Sequence, residues 1–253
     1  LGIQLSADPA QPPRSRGVGK TDHSWIKHGM AASAVGAQVA AFRRLFPDAR
    51  MALIDGNAGD GVGVETGQAD LFDGVRQSRP TPRLLADLAR KHNATLCLCE
   101  CDRVKRKMLI EGFPAATVVS SHREAAAFAL KGFNYALWLS DPCGYAGHGV
   151  EHMRTVADIF HSDFIIILNE LALERVRGAR GSPHWLPHQK YTPMLQPSWW
   201  LQQLPKRYLA RSPLINQSPG FHFRLLVASN FLTDGVKRMR KVEIITRQQE
   251  GRR

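Results

Sequence analysis

An apolar run that ends in an acid and passes at once into a glycine-rich loop constrains this chain more than any other feature. The stretch is Met51-Ala-Leu-Ile-Asp-Gly-Asn-Ala-Gly-Asp-Gly-Val-Gly63, with glycines at 56, 59, 61 and 63. Glycine permits positive φ and lets the backbone come close to a ligand. The pattern predicts a buried strand running into a tight turn that holds a nucleoside-bearing ligand. A nucleoside-triphosphate loop would end in Lys-[Ser/Thr], which is absent here.

Downstream, apolar runs alternate with helical patterns. Strand-like runs cover 50–55, 95–100, 116–120, 135–140 and 163–168, and helical patterns cover 22–46, 82–92, 102–111, 122–130 and 149–160. Such alternation predicts an α/β fold with helices on both faces of a mostly parallel sheet. Arg207 to Ile215 and Phe221 to Ser229 are joined by Asn216-Gln-Ser-Pro-Gly220, which predicts a C-terminal antiparallel hairpin. Residues 174–206 have weak periodicity and predict an insertion or lid. The organisation expected is a flexible basic arm over 1–20, one domain over 21–245 and a basic tail over 246–253.

Open parallel sheets bind ligands at the carboxyl ends of their strands. The marked residues fall there. Asp55 ends the first strand and would meet the amino group of a cofactor's methionine part, directly or through water. Gly56, Gly59, Gly61 and Gly63 would make room for it. Glu100 ends the second strand and would take both ribose hydroxyls, unless it only caps the basic helix that follows; Asp102 is the fallback. Ser120-Ser121-His122 follows the third strand, where Ser121 either meets an adenine ring or caps the next helix.

Asp141-Pro-Cys-Gly-Tyr145 ends the fourth strand. It is similar to the [Asp/Asn/Ser]-Pro-Pro-[Tyr/Phe/Trp] motif of enzymes that methylate exocyclic amines of bases. There an acid and a carbonyl align the amine for in-line attack, and the aromatic ring stacks on the base. Asp141, Pro142 and Tyr145 are the catalytic candidates. Cys143 replaces the second proline and Tyr145 comes one place late, and the rival reading is a turn after a buried strand. With the glycine loop and Glu100, the motif completes the pattern of a class I S-adenosylmethionine-dependent methyltransferase.

Composition bounds the partners. The formal net charge is +12 with a pI near 10, which favours a polyanion, DNA or RNA, through phosphate contacts. Trp185, Tyr191, Trp199 and Trp200 stand among Arg175, Arg177, Arg180 and Lys190, a setting that suits base stacking or a lid packed on the sheet. No apolar run is long enough to span a membrane, so no membrane partner is expected. Cys97, Cys99 and Cys101 alternate along one strand, and Cys143 stands apart, so reduced thiols and a cytoplasmic setting are expected. No metal is expected; His148 and His152 lack the glutamate of a His-Glu-x-x-His pair and read as solvated.

Four segments resemble the three-Cys-motif partner family of bacterial methyltransferase-like proteins. These are Lys20-Thr-Asp-His-Ser-Trp-Ile-Lys-His28, Leu53-Ile-Asp-Gly-Asn-Ala-Gly-Asp-Gly61 with Asn57 where Phe is usual, Leu139-Ser-Asp-Pro-Cys-Gly144, and Leu226-Val-Ala-Ser-Asn230 with Gly235-Val-Lys-Arg-Met239. They span residues 20 to 240. The resemblance implies a Rossmann-like fold with a seven-stranded sheet and S-adenosylmethionine as cofactor. It also implies an opening helix that closes over the cofactor, which makes Lys27 and His28 candidates for contacts there. The function expected is methyl transfer to nucleic acid, adenine favoured. A protein or small-molecule acceptor, or a degenerate fold serving as a binding subunit, are the rivals. No large target-recognition domain is visible, so a protein partner is a further expectation.

Overall fold

The structure is a computed structural model that describes residues 24–61, 64–70, 74–78, 80–142, 145–159, 161–178, 186–218, 221–237 and 242–246. The chain opens with helix α1 (Ser24–Leu45), then β1 (Met51–Asp55), and a small separate hairpin of β2 (Val64–Asp70) and β3 (Gly74–Ser78). Next come α2 (Thr81–Lys91), β4 (Thr95–Cys99), α3 (Arg103–Gly112), β5 (Thr117–Val119), α4 (His122–Ala129) and β6 (Tyr135–Ser140). The second half holds α5 (Val150–Ala157), β7 (Ser162–Asn169), α6 (Glu170–Gly178) and α7 (Pro197–Gln203). It ends with β8 (Tyr208–Arg211), β9 (Ile215–Ser218), β10 (Phe221–Ser229), α8 (Asp234–Lys237) and β11 (Glu243–Thr246).

The main sheet runs β5-β4-β1-β6-β7-β10-β8-β11, with β9 also paired to β10. The five strands from β5 to β7 are parallel; β10 is antiparallel to β7, β8 and β9, and β11 to β8. This is the Rossmann-like mixed sheet expected, a parallel core with antiparallel C-terminal strands. The seven expected strands are β5, β4, β1, β6, β7, β10 and β8. β11 lengthens the edge, and β9 continues the hairpin arm begun by β8.

That arm is interrupted at Ser212-Pro213-Leu214, because proline has no N–H for the ladder. Ser212 bridges the gap. Its N–H donates to Leu225 O at 2.9 Å, and its Oγ accepts from Leu225 N at 3.0 Å.

Alternate residues of each strand face opposite helical layers. Leu53, Leu98, Leu137, Ile165 and Val227 pack under α1, α2 and α3, against Val35, Phe42, Leu85 and Leu109. Ile54, Cys97, Trp138, Ile166 and Leu226 pack under α4 to α7, against Phe128, Met153, Leu173 and Trp200. Cys97 and Cys99 are buried thiols whose pKa burial pushes up to about 12, whereas Cys101 lies past the end of β4 and is exposed. The three do not share one strand face as expected. Within the stretch read as an insertion or lid, a 3-10 segment (Leu186–Leu195) and α7 put Met194, Leu195, Trp200, Leu201 and Leu204 into the core.

Two buried polar knots tie the amino-terminal edge of the sheet. Asp163 Oδ2 accepts from Tyr135 Oη at 2.7 Å and from Gln38 Nε2 at 3.1 Å, and Gln38 also holds Phe231 O and Thr233 N. On the other face Lys206 Nζ donates to Ala157 O at 2.7 Å and Ser162 Oγ at 2.6 Å.

Candidate active site

At the opposite, carboxyl edge, β1, β4 and β6 are adjacent and each ends in or just before an acid: Asp55, Glu100 and Asp141. Asp55 is wholly buried. Burial pushes its pKa up to about 6, offset in part by the Thr81 hydroxyl and the Asn57 N–H. Its Oδ1 accepts from Asn57 N at 3.0 Å, and among the described residues its Oδ2 has no hydrogen-bond partner. A buried carboxylate oxygen without a donor carries a desolvation cost, so it is a natural place for a ligand's N–H.

The glycine loop divides its labour. Gly56 is packed so closely under Trp138 that a Cβ there would lie 2.5 Å from the indole Nε1. Gly59 has φ +65° with nothing within 4 Å of an added Cβ, so it faces open space. The end of the loop is packed as well, because at Gly61 a Cβ would meet Phe113 at 2.7 Å. Gly63 lies outside the described residues.

Asp141 is held from above by α1. Lys27 Nζ is 2.9 Å from Oδ1 and from Oδ2, and His28 Nε2 is 3.3 Å from Oδ2. Burial alone would raise the Asp141 pKa, but Lys27 and His28 together hold it below the ordinary carboxylate value. A carboxylate accepts only, so His28 Nε2 carries the proton, and the buried Nδ1 has no partner among the described residues. Lys27 and His28 thus meet at β6 rather than ranging freely over the site. The expected catalytic set is only partly visible. Pro142 follows Asp141 in an irregular segment, and Tyr145 opens a 3-10 turn (Tyr145–His148). The Tyr145 side chain, with Cys143 and Gly144, lies outside the described residues.

Glu100 is half-buried and its Oε1 accepts from Asp102 N at 2.8 Å. Asp102 is spent on its helix: its Oδ1 accepts from Val104 N at 2.8 Å and Lys105 N at 3.0 Å, which makes it the N-cap of α3. Ser121 is likewise the N-cap of α4, accepting from Glu124 N at 3.3 Å, while Ser120 N donates to the Glu124 carboxylate at 2.8 Å. Both residues stand at the carboxyl edge, but their side chains already serve the backbone.

A chain of buried polar groups under the loop has no counterpart in the sequence reading. Asn57 Nδ2 donates to Gly147 O at 2.9 Å, and Asn57 Oδ1 accepts from Ser140 Oγ at 3.2 Å. Ser140 Oγ has one proton and gives it to Asn57, so His148 Nδ1, 2.8 Å away, is the donor to Ser140. His148 is almost completely buried, which pulls its pKa down to about 4. It is therefore neutral and packed edge-on to Trp200, not solvated as expected. His122 Nε2 donates to Gly56 O at 2.8 Å. The departure from Phe at Asn57 was the one signal for this network, since an amide there needs partners.

Among the described residues there is no group of His, Cys, Asp or Glu that could hold a metal, and no helix is long and apolar enough to cross a membrane. Trp200 is a core residue whose Nε1 donates to Met194 O at 2.8 Å, so its indole is not a free stacking surface. Trp185 and Arg180 lie outside the described residues.

No family model matches the sequence, and no curated protein matches it. Among solved structures the chain resembles a Legionella pneumophila protein at 10% identity, over 85% of this chain and 97% of that one, with a TM-score of 0.51. Looser likenesses are to the plantazolicin methyltransferase BpumL in complex with SAH (12% identity, 83% and 86% covered, TM-score 0.46) and to spermidine synthase from Thermotoga maritima (15%, 89% and 69%, 0.47). At these identities the likeness is one of fold, and the fold is the mixed Rossmann-like sheet described above.

Proposed function

We propose that the protein is an S-adenosylmethionine-dependent methyltransferase whose acceptor is a nucleic acid. One observation carries the cofactor half of this reading: Asp55 offers an unpartnered buried oxygen at the end of β1, in the same loop as the open Gly59, with Glu100 just past the end of the neighbouring β4. Asp55 and the glycine loop would hold the methionine part, and Glu100 Oε2 the ribose. Asp102 and Ser121 would shape the adenine end through the helices they cap. Bound there, S-adenosylmethionine supplies an electrophilic methyl group.

The chain's own task is to place an acceptor beside Asp141. An exocyclic amine of adenine or cytosine donates hydrogen bonds, and Asp141 accepts them, so the residue types suit each other. Lys27 and His28 occupy Asp141 in this structure, and an incoming amine would have to share or displace them. The charge of +12 supports a polyanionic acceptor. Incubation with methyl-labelled cofactor and separate DNA and RNA pools tests the reading. Label in either pool, abolished by Asp141→Ala, supports it; cofactor binding with label in neither pool contradicts the nucleic-acid half.

A second reading is favoured by the same ion pairs. A fold that keeps Asp141 locked under α1 can serve as a nucleic-acid-binding subunit without turnover. It predicts nucleic-acid binding that is indifferent to the cofactor.

A further inference from the structure

Asn57 is bonded to the chain at both acids of the site. β1 and β6 are parallel with Asp55 opposite Leu139, and the ladder continues through Gly56 N, which donates to Leu139 O at 2.8 Å. Asn57 and Asp141 each lie two residues past that pair, at the same edge of the sheet. The two acids are close enough to interact: burial is the main cause of the raised Asp55 pKa, and the Asp141 charge adds to it.

The backbone N–H of Asn57 donates to Asp55 Oδ1 at 3.0 Å, leaving Oδ2 for a ligand. Its half-buried side chain grips the chain on both sides of Asp141. Oδ1 accepts from Ser140 Oγ at 3.2 Å, and Nδ2 donates to Gly147 O at 2.9 Å. The orientation of the amide follows, since a carbonyl can only accept. A Cβ at Gly147 would lie 2.7 Å from the Pro142 Cβ, so glycine lets the chain come back against Pro142 and offer its carbonyl to Asn57. An amide can give to a carbonyl and accept from a hydroxyl at once, which the phenylalanine usual at this place in the family that the sequence resembles cannot do. Ser140 has one proton and gives it to Asn57, so the neutral His148 must donate from Nδ1, 2.8 Å away. Asn57 thus also decides which nitrogen of His148 carries the proton.

We propose that Asn57 is a positioning residue that couples the cofactor loop to Asp141, so that filling the site at Asp55 fixes the place where the acceptor is held. A cofactor ammonium on Asp55 Oδ2 would hold that carboxylate against the Asn57 N–H. The Asn57 amide, bonded to Ser140 and Gly147, carries the constraint to both flanks of Asp141. The side chain is spent on protein partners, so it acts through them. The inference rests on the cofactor half of the proposed function and names how that site governs Asp141.

The test is NMR on protein with isotope-labelled histidine, near neutral pH, with S-adenosylhomocysteine as the probe. Wild type is compared with Asn57→Ala and Asn57→Asp, and the His148 signal is identified by its loss in His148→Gln. Wild type is expected to carry the His148 proton on Nδ1. Asn57→Asp still accepts from Ser140 and should keep it there. Asn57→Ala frees the Ser140 proton for His148 Nδ1 and should move the ring proton to Nε2. S-adenosylhomocysteine is expected to slow exchange of the His148 ring proton with water about fivefold or more in wild type, and by about twofold at most in Asn57→Ala. Ser140→Ala cuts the same tie from the other side, and should lose the slowing too. A His148 proton on Nε2 in wild type, or on Nδ1 in Asn57→Ala, overturns the assignment. Equal slowing in wild type and both alanine variants, or slowing in none of them although the probe binds, overturns the coupling and leaves the cofactor site standing. Absence of probe binding by folded wild type overturns the coupling and the cofactor half of the function together.

Discussion

Lys27 Nζ stands 2.9 Å from both carboxylate oxygens of Asp141, and so fastens the start of α1 to the end of β6. Removing the cation leaves Asp141 buried with only His28 beside it. Breaking a fully buried pair costs about 3–5 kcal/mol. Lys27 is 20% exposed, so Lys27→Met is expected to cost about 2 kcal/mol at neutral pH. The pairing lowers the folded pKa of Asp141 below its unfolded value, so at acid pH the unfolded chain binds more protons. The contribution is present above the ordinary carboxylate range and is lost as pH falls through the folded pKa. Thermal melts of wild type and Lys27→Met should differ at pH 7 and converge in acid.

Asp55 works in the opposite sense. Its folded pKa is raised to about 6 from 3.8, so between these values the native state holds the proton more tightly than the unfolded chain. Stability falls as pH rises through that window and is flat above it. Two pKa units correspond to about 3 kcal/mol, an upper figure for a group whose surroundings relax. Asp55→Asn should therefore melt higher than wild type above about pH 6, with the advantage shrinking towards pH 4. The same substitution should weaken the cofactor. A lower melting temperature for Asp55→Asn at pH 8 would show that the unpartnered oxygen carries no such cost.

Gly56 and Gly59 separate packing from ligand room. Gly56→Ala drives a methyl into Trp138 and is expected to destabilise by about 1–3 kcal/mol. Gly59→Ala meets no atom, and its cost is the left-handed φ, about 1 kcal/mol. Its larger effect should be on cofactor affinity, because the open space is where the ligand would lie. Melting and calorimetry on the two variants should rank in opposite order.

Glu100 and Asp102 make a similar contrast. Asp102→Ala removes the cap of α3 and should lower the melting temperature with little change in cofactor binding. Glu100→Ala should leave the melting temperature nearly unchanged and lower affinity at least tenfold, about 1.4 kcal/mol. Equal losses of affinity in both variants would contradict the assignment of the ribose to Glu100.

Much of this edge was legible in the sequence because strand ends announce themselves. Apolar runs stop at Asp55, Glu100 and Asp141, and parallel strands bring such stops to one side. Helix caps were legible in part. The sequence leaves Ser121 as either cap or adenine contact, and it caps α4. For α3 the sequence points to Glu100 as the cap, if to any residue, and to Asp102 only as a fallback for the ribose, whereas the cap is Asp102. Three things escaped. The β2–β3 hairpin lies in a polar stretch without strict alternation, where pairing decides the structure. Residues 186–204 combine 3-10 and α turns, so no single period marks Trp200 as core. The Asn57–Ser140–His148 chain joins residues up to 91 positions apart, and pairings at that separation leave no local trace.

The most direct test is calorimetric titration of S-adenosylmethionine and S-adenosylhomocysteine into wild type, Asp55→Asn and Glu100→Ala. Binding at micromolar concentration by wild type, weakened at least tenfold by each substitution while the melting profiles stay cooperative, is the expected result. Absence of binding by a folded wild type, or affinity indifferent to both substitutions, would contradict the cofactor site at the ends of β1 and β4.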